Sequence, residues 1–208
     1  MYYRNRRLNS SESLNPFPAF TDLMSNAFMI LSLFLFLALL QASDLNRKLK
    51  SARPIVIDEQ SGNFKFQSGS AVLTPQLSRY ITDKIIPEIQ KTIAEKDGNI
   101  DFIQVIGHTD GQENRRLGNL DQKIESVAAG KQPVTVLSPG SNADLGLMRA
   151  LAVIEAIKQS GQFKTIDFKA YSAGQLYDSQ GNLAPINRSA DQSRRRMEIR
   201  FIPPGETN

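Results

Sequence analysis

The chain has 208 residues, a formal net charge of +4 and no cysteine, which excludes disulfides, thiolate chemistry and a lipid-modified cysteine. A mean hydropathy of −0.31 is that of a soluble protein, and the length has room for one membrane segment and one compact domain. The basic residues form patches without the interleaved aromatic side chains that a nucleic-acid surface uses for stacking, so we expect no nucleic-acid partner.

The first predicted element is a transmembrane helix near the N-terminus. Residues 27–40 are apolar apart from Ser32 but are too few to cross the hydrocarbon core of a membrane. Adding Phe17 to Asn26 and Gln41 to Ala42 gives a span of suitable length. We therefore predict a helix over 17–42 that follows a tail of residues 1–16. Pro16 and Pro18 suit the first helical turn, so the helix should begin at Phe17 or Pro18.

The basic residues around this span predict its orientation. Arg4, Arg6 and Arg7 precede it, and the positive-inside rule then keeps the tail in the cytoplasm, although a basic cluster at 47–50 competes. A cleaved signal peptide is the alternative. It is disfavoured because sixteen residues precede the apolar segment and Leu40 stands where a small residue is expected. The sequence thus predicts a retained anchor in the inner (cytoplasmic) membrane, with the rest of the chain in the periplasm.

Asp22 is an ionisable residue inside the predicted membrane helix, and it has two interpretations. It can be a helix-end aspartate that the helix dipole favours. Alternatively, because an aspartate near the centre of a membrane helix costs about 3 kcal/mol, it can mark an ion path, with Ser25 and Asn26 on the same face. One helix cannot enclose such a path, so the second interpretation requires a polytopic partner.

The stretch Asp22-Leu23-Met24, followed by a polar pair and a Phe/Leu-rich run, resembles the membrane helix of MotB-type stator subunits. That group includes the ZorB proteins of the Zorya anti-phage system and, more distantly, ExbD and TolR. The resemblance implies that Asp22 binds the transported ion, for which we expect a proton, with a sodium ion as the alternative. It also implies a MotA-, ExbB- or ZorA-like polytopic membrane partner and a homodimer within a larger complex.

After a polar linker predicted over 43–62, with a possible edge strand at 55–57, strands and helices alternate through a domain over 63–208. We predict a short strand at Phe64–Phe66 and a helix with Thr74 as N-cap, followed by Pro75. Pro87 should kink this helix. Its apolar stripe consists of Leu77, Ile81, Ile85, Ile89 and Ile93.

The later elements follow the same pattern. Residues 100–106 are nearly continuously apolar, as in a buried central strand. A second helix should begin at Ser141 or Asn142, where Asp144 completes capping-box spacing, and end near Gln159. Two more strands are predicted at 166–171 and around Met197, Ile199 and Phe201. This order indicates an α/β sandwich with helices on one face of a small sheet.

Three motifs in this region, "VIGHTD" (105–110), "NADLGLMRALAV" (142–153) and "RRRMEIRF" (194–201), resemble those of the OmpA-like peptidoglycan-binding domain. The ligand of that family is the diaminopimelate of the stem peptide, which carries an ammonium and carboxylates together. The resemblance implies that Asp110 holds the ammonium, that Arg149 holds a carboxylate, that Asn142 orders the loop or donates to the ligand, and that Leu145 packs beside it. Each residue also has a purely structural interpretation. Asp110 could be a turn residue and Arg149 a solvated cation. Asn142 could be an N-cap and Leu145 a core residue.

The chain also departs from that family. Gly146 replaces the usual serine, and Arg194 stands where the last motif generally has asparagine. Residues 111–141 form a much longer connection than usual. The apolar run 134–137 within it could add a hairpin, and the long loop could alter the choice of ligand or mediate dimer contacts.

His108 and Asp110 suggest an enzyme as a further hypothesis, because they would share one face of a strand and could bind a metal or form a catalytic pair. No second histidine, no cysteine and no nucleophile-elbow motif accompany them, so we expect neither catalysis nor a metal or cofactor. The leading hypothesis is an ion-driven stator subunit of flagellar MotB or ZorB type. The short chain and long loop favour ZorB slightly. The alternative is a passive membrane-anchored tether that binds peptidoglycan without transporting ions.

Overall fold

A computed structural model describes residues 17–51, 53–59, 65–96 and 99–205. The chain divides into two compact units, one ending at Leu49 and the other beginning at Lys50. The predicted tail 1–16 and Phe64 lie outside the described residues.

Helix α1, Phe17–Ser51, has 35 residues and a length of about 52 Å. It forms the described part of the first unit, and its last two residues fall in the second unit. The helix begins at Phe17, one of the two starting residues that Pro16 and Pro18 predict. The stretch Phe17–Ser43 is long and apolar enough to cross a membrane. The helix continues past Ala42 into the predicted linker because residues 43–51 contain no glycine or proline that would end it.

The second unit contains a four-stranded sheet in the order β1-β4-β2-β3. The strands are β1 (Ile55–Asp58), β2 (Phe102–His108), β3 (Asp167–Gly174) and β4 (Arg196–Ile202). Strands β2 and β3 are parallel, whereas β4 is antiparallel to both β1 and β2. The predicted edge strand, the central strand and the final strand are confirmed. The predicted strand at 64–66 is wrong for its described residues, since Lys65 and Phe66 have no strand partner.

Helices α2 (Pro75–Tyr80) and α3 (Ile86–Glu95) flank a π-helical turn at Ile81–Ile85. The Thr74 hydroxyl caps α2 by accepting the Leu77 N–H. In the π-helical turn the Ile86 N–H donates to the Ile81 carbonyl, five residues back. The disturbance predicted at Pro87, which has no N–H, therefore takes the form of a widened turn immediately before it.

Helix α5 (Asn142–Gln159) begins with the predicted capping box. Ser141 accepts the Asp144 N–H, and Asp144 accepts the Ser141 N–H. One side of α5 packs on the sheet together with α2 and α3, which confirms the expected α/β sandwich. The main core consists of Ile55, Ile57, Leu77, Ile81, Ile85, Ile86, Ile89, Ile103, Val105, Ala150, Val153, Ile154, Ile157, Phe168, Met197, Ile199 and Phe201.

The long connection 111–141 forms helix α4 (Leu120–Ala128) and a 3₁₀ turn at Val134–Val136. The possible hairpin at 134–137 is therefore absent. The Asn119 side chain holds the connection together by donating to the Val136 carbonyl at 3.0 Å and accepting the Ser138 N–H at 2.7 Å. Helix α4 and the 3₁₀ turn form an added layer, which a second apolar cluster packs against the other side of α5. The buried members of this cluster are Ala71, Leu120, Val127, Val134, Leu137, Met148 and Ala152.

Candidate functional site

The four residues predicted to bind peptidoglycan line one small cleft, of about 60 Å³. Asp110 follows the carboxyl end of β2, which ends at His108. Asn142, Leu145 and Arg149 lie at helical spacing on one side of α5. The end of a strand and the start of a helix thus bring these residues together.

Close backbone contact between α5 and β2 fixes the position of the helix. A Cβ built on Gly107 would lie 2.0 Å from the Gly146 carbonyl oxygen, and one built on Gly146 would lie 2.8 Å from the Gly107 oxygen. Side chains larger than hydrogen do not fit at this crossing. The glycine that departs from the family's usual serine therefore has a packing reason.

Asp110 is 5% exposed, and both of its carboxylate oxygens already accept hydrogen bonds. Oδ2 accepts the Arg195 Nη1–H and the Asp191 N–H, each at 3.1 Å. Oδ1 accepts the Gln112 N–H at 3.3 Å. These contacts hold the carboxylate in a fixed orientation and leave it lone-pair capacity for a cationic ligand.

Arg149 is 2% exposed and lies 4.8 Å from the centre of the Phe66 ring. Its guanidinium donates to the Ser70 carbonyl at 3.1 Å and the Gln67 carbonyl at 3.4 Å. Burial lowers the pKa of Arg149 to about 10, with Arg195 acting in the same direction and with Glu59 and Asp110 opposing the shift. Arg149 therefore stays cationic at neutral pH, with part of its five-donor fork uncommitted.

Asn142 and Leu145 complete the side of the cleft formed by α5. Asn142 Nδ2 donates to the Gln112 carbonyl at 2.8 Å and the Asp110 carbonyl at 3.3 Å, so it ties the loop after β2 to the start of the helix. Ser141, not Asn142, is the N-cap. Leu145 is 5% exposed and provides an apolar surface.

Sequence reasoning missed three polar residues here, Glu59, Thr109 and Arg195. Arg195 joins Glu59 to Asp110 through two ion pairs. Thr109 lines the cleft, and its buried hydroxyl has no hydrogen-bond partner among the described residues. The run of three arginines at the start of β4 is the available signal for Arg195, because a buried strand that starts with cations needs anions nearby.

His108 belongs to a different cluster. Its Nε2 lies 3.1 Å from Glu198 Oε1, and the Glu198 carboxylate accepts hydrogen bonds from Arg196 and Arg200. His108 is therefore buried among charged side chains and does not line the cleft. Asp22, the fifth predicted site residue, is in helix α1 of the other unit.

No protein-family model and no curated protein matches the sequence. Among solved structures, the chain is similar to the periplasmic domain of Helicobacter pylori MotB, with 20% identity, a TM-score of 0.47 and coverage of 73% of this chain and 76% of that one. It is similar to the peptidoglycan-associated lipoprotein of Burkholderia pseudomallei, with 17% identity, a TM-score of 0.36 and coverage of 67% and 88%. It is also similar to the OmpA-like domain of FopA1 from Francisella tularensis, with 19% identity, a TM-score of 0.34 and coverage of 76% of this chain and 86% of that one.

Proposed function

We propose that this chain is the peptidoglycan-anchored subunit of an ion-driven stator or motor complex of MotB or ZorB type in the inner membrane. The observation that carries the wall-binding part is the cleft, where Asp110 and Arg149 place an anion and a cation beside Asn142 and Leu145. The apolar span Phe17–Ser43 with Asp22 inside it supports the membrane part.

The chemistry of the cleft suits the end of a diaminopimelate side chain. Its ammonium needs a fixed carboxylate, which Asp110 supplies, and its carboxylate needs a forked cation, which Arg149 supplies. Both protein charges are buried and held by backbone partners, so a zwitterionic ligand would meet a preorganised pair of opposite charges.

If the cleft binds peptidoglycan as proposed, Asp110→Asn should weaken the binding of the full-length, detergent-solubilised protein to purified peptidoglycan sacculi by about 10-fold or more. A buried charge-assisted hydrogen bond typically contributes about 1.5–3 kcal/mol. Co-sedimentation over a range of sacculus concentrations measures the change. Asp121→Asn, at an exposed position on α4, is the matched control and should bind like the wild type. Wild-type binding by a folded Asp110→Asn variant would contradict the proposal.

The membrane part requires a polytopic partner of MotA, ExbB or ZorA type, since one helix cannot enclose an ion path. The passive tether remains the second candidate, because Asp22 is only the sixth residue of α1, close enough to the helix end for water at the membrane surface to solvate a carboxylate without transport. The two candidates share the peptidoglycan cleft and differ in the role of Asp22.

Replacing Asp22 with Asn separates these candidates. The stator hypothesis predicts that the variant still co-purifies with a polytopic membrane partner but loses ion flux in liposomes, because the amide has no carboxylate for the ion. Binding to sacculi should be unchanged. Equal flux from wild type and variant, or no partner on co-purification, would favour the tether.

A further inference from the structure

Glu59 is a buried carboxylate outside the motifs of the cleft. It directly follows β1, is 5% exposed, and its backbone N–H donates to the Arg195 carbonyl at 3.4 Å. Burial raises the pKa of Glu59, with Arg195 and Arg149 opposing the shift. A carboxylate buried at this cost must be stabilised by cations nearby.

One arginine connects Glu59 to the cleft. Arg195 Nε donates to Glu59 Oε2 at 2.8 Å, and Arg195 Nη1 donates to Asp110 Oδ2 at 3.1 Å. The Arg195 side chain is only 15% exposed, so solvent screens these contacts weakly. The guanidinium is thus shared between two carboxylates, of which one belongs to the cleft.

The buried and partly buried charges around the cleft balance when Glu59 is counted, while Glu113, which also lines the cleft, is exposed and pairs with Arg115 and Arg188. Arg149 and Arg195 contribute two cations, and Asp110 and Glu59 contribute two anions. Without the charge of Glu59, two arginines would face one buried carboxylate, that of Asp110. Asp110 would then be neutralised by the protein itself and would attract a ligand ammonium less strongly.

We propose that Glu59 is a specificity-determining counter-ion, which occupies Arg195 and so keeps the Asp110 carboxylate available for the cationic group of a zwitterionic ligand. Glu59 acts through Arg195 and is therefore a positioning residue. The inference rests on the proposed peptidoglycan cleft and adds how that cleft selects an ammonium-bearing ligand.

The test compares two soluble peptides by isothermal titration calorimetry with the full chain in detergent. One is the tripeptide L-alanyl-γ-D-glutamyl-meso-diaminopimelate, and the other is the same peptide with its free diaminopimelate amine acetylated. The readout is the ratio of the two dissociation constants, which a general loss of stability would not change selectively. We expect the wild type to prefer the free amine at least 10-fold.

Glu59→Gln keeps the shape of the side chain and removes its charge, so the ratio should fall at least fivefold. Glu125→Gln, on the exposed side of α4, is the matched control and should keep the wild-type ratio. Arg195→Gln should raise the ratio, because it leaves a surplus anion beside the cleft. This opposite change keeps the proposal testable if Glu59→Gln does not fold.

A wild-type ratio in folded Glu59→Gln would overturn the proposal even if both affinities fell, and so would a lower ratio in Arg195→Gln. A wild type that binds sacculi but does not distinguish the peptides would overturn this inference and leave the proposed function standing. A wild type that binds neither sacculi nor peptide would refute the proposed function and the inference with it.

Discussion

Glu198 lies on β4 between two core residues, and its carboxylate contacts three basic side chains. Its carboxylate lies 3.1 Å from His108 Nε2, 3.0 Å from Arg196 Nε and 2.6 Å from Arg200 Nη2. The contact with His108, followed by those with Arg200 and Arg196, holds the pKa of Glu198 at about 2 despite the opposing effect of burial. A carboxyl whose pKa is lowered on folding stabilises the fold above its unfolded-state pKa and loses that contribution as the pH falls towards 2.

Glu198→Gln should therefore reduce the free energy of unfolding at pH 7 by about 3 kcal/mol, the value that linkage gives for this shift. Between pH 5 and pH 3 the wild type should lose stability more steeply than the variant, which has no carboxylate to protonate. Urea unfolding followed by circular dichroism at several pH values measures both effects. Glu125→Gln should follow the wild-type pH dependence. Parallel pH profiles for wild type and Glu198→Gln would refute the prediction.

Single residues differ in how far the sequence predicts them. Asp110 and Arg149 stand in local motifs, and the structure places both at the cleft. The ion pair between Glu59 and Arg195 joins residues 136 positions apart, and no local spacing encodes such a contact. The pairing of β1 with β4 brings Glu59 next to Arg195, the middle residue of the arginine run.

At the scale of elements, the crossing of α5 over β2 controls the geometry of the cleft. Gly107 and Gly146 let the two backbones touch, and a Cβ on Gly146 would also lie 2.3 Å from Ser172 Oγ. The helix that carries Asn142 and Arg149 can therefore lie close to the strand that leads to Asp110. A side chain at this crossing would push the two halves of the cleft apart.

Gly146→Ala should lower the free energy of unfolding by about 1–3 kcal/mol through overpacking, although alanine is the better helix former. It should also weaken binding to sacculi, because a displaced α5 moves Asn142 and Arg149 away from Asp110. Thermal unfolding and co-sedimentation measure the two effects. Gly205→Ala is the matched control, since a Cβ there has no atom within 4 Å among the described residues. An unchanged melting temperature in Gly146→Ala would refute the overpacking argument.

Element boundaries were predictable where capping residues mark them, as at Thr74 and Ser141. The hairpin predicted at 134–137 is wrong, because the β-branched residues of this segment favour a strand whereas the structure has a 3₁₀ turn there. In the structure Val134 and Leu137 are buried against α5, and Pro133 is the N-cap of the short turn. Tertiary packing thus overrode local propensity.

At the scale of the whole molecule, the chain consists of two units that need different surroundings. The large apolar side chains of α1 are exposed, for example Leu23 at 67% and Phe28 at 71%, whereas those of the second unit form two buried clusters. The sequence predicts this division because one concentrated apolar run stands in a chain of soluble composition. It did not predict the layer made by α4, since the burial of α4 depends on the far side of α5.

That added layer has a consequence for the entropy of ligand binding. On α5, Ala150 and Val153 face the main core, while Met148 and Ala152 face the second cluster. A shift of the helix would expose apolar surface on both sides at once, at about 25 cal/mol for each Å². The residues of α5 that line the cleft are therefore immobilised before any ligand arrives, and little conformational freedom is left for binding to remove.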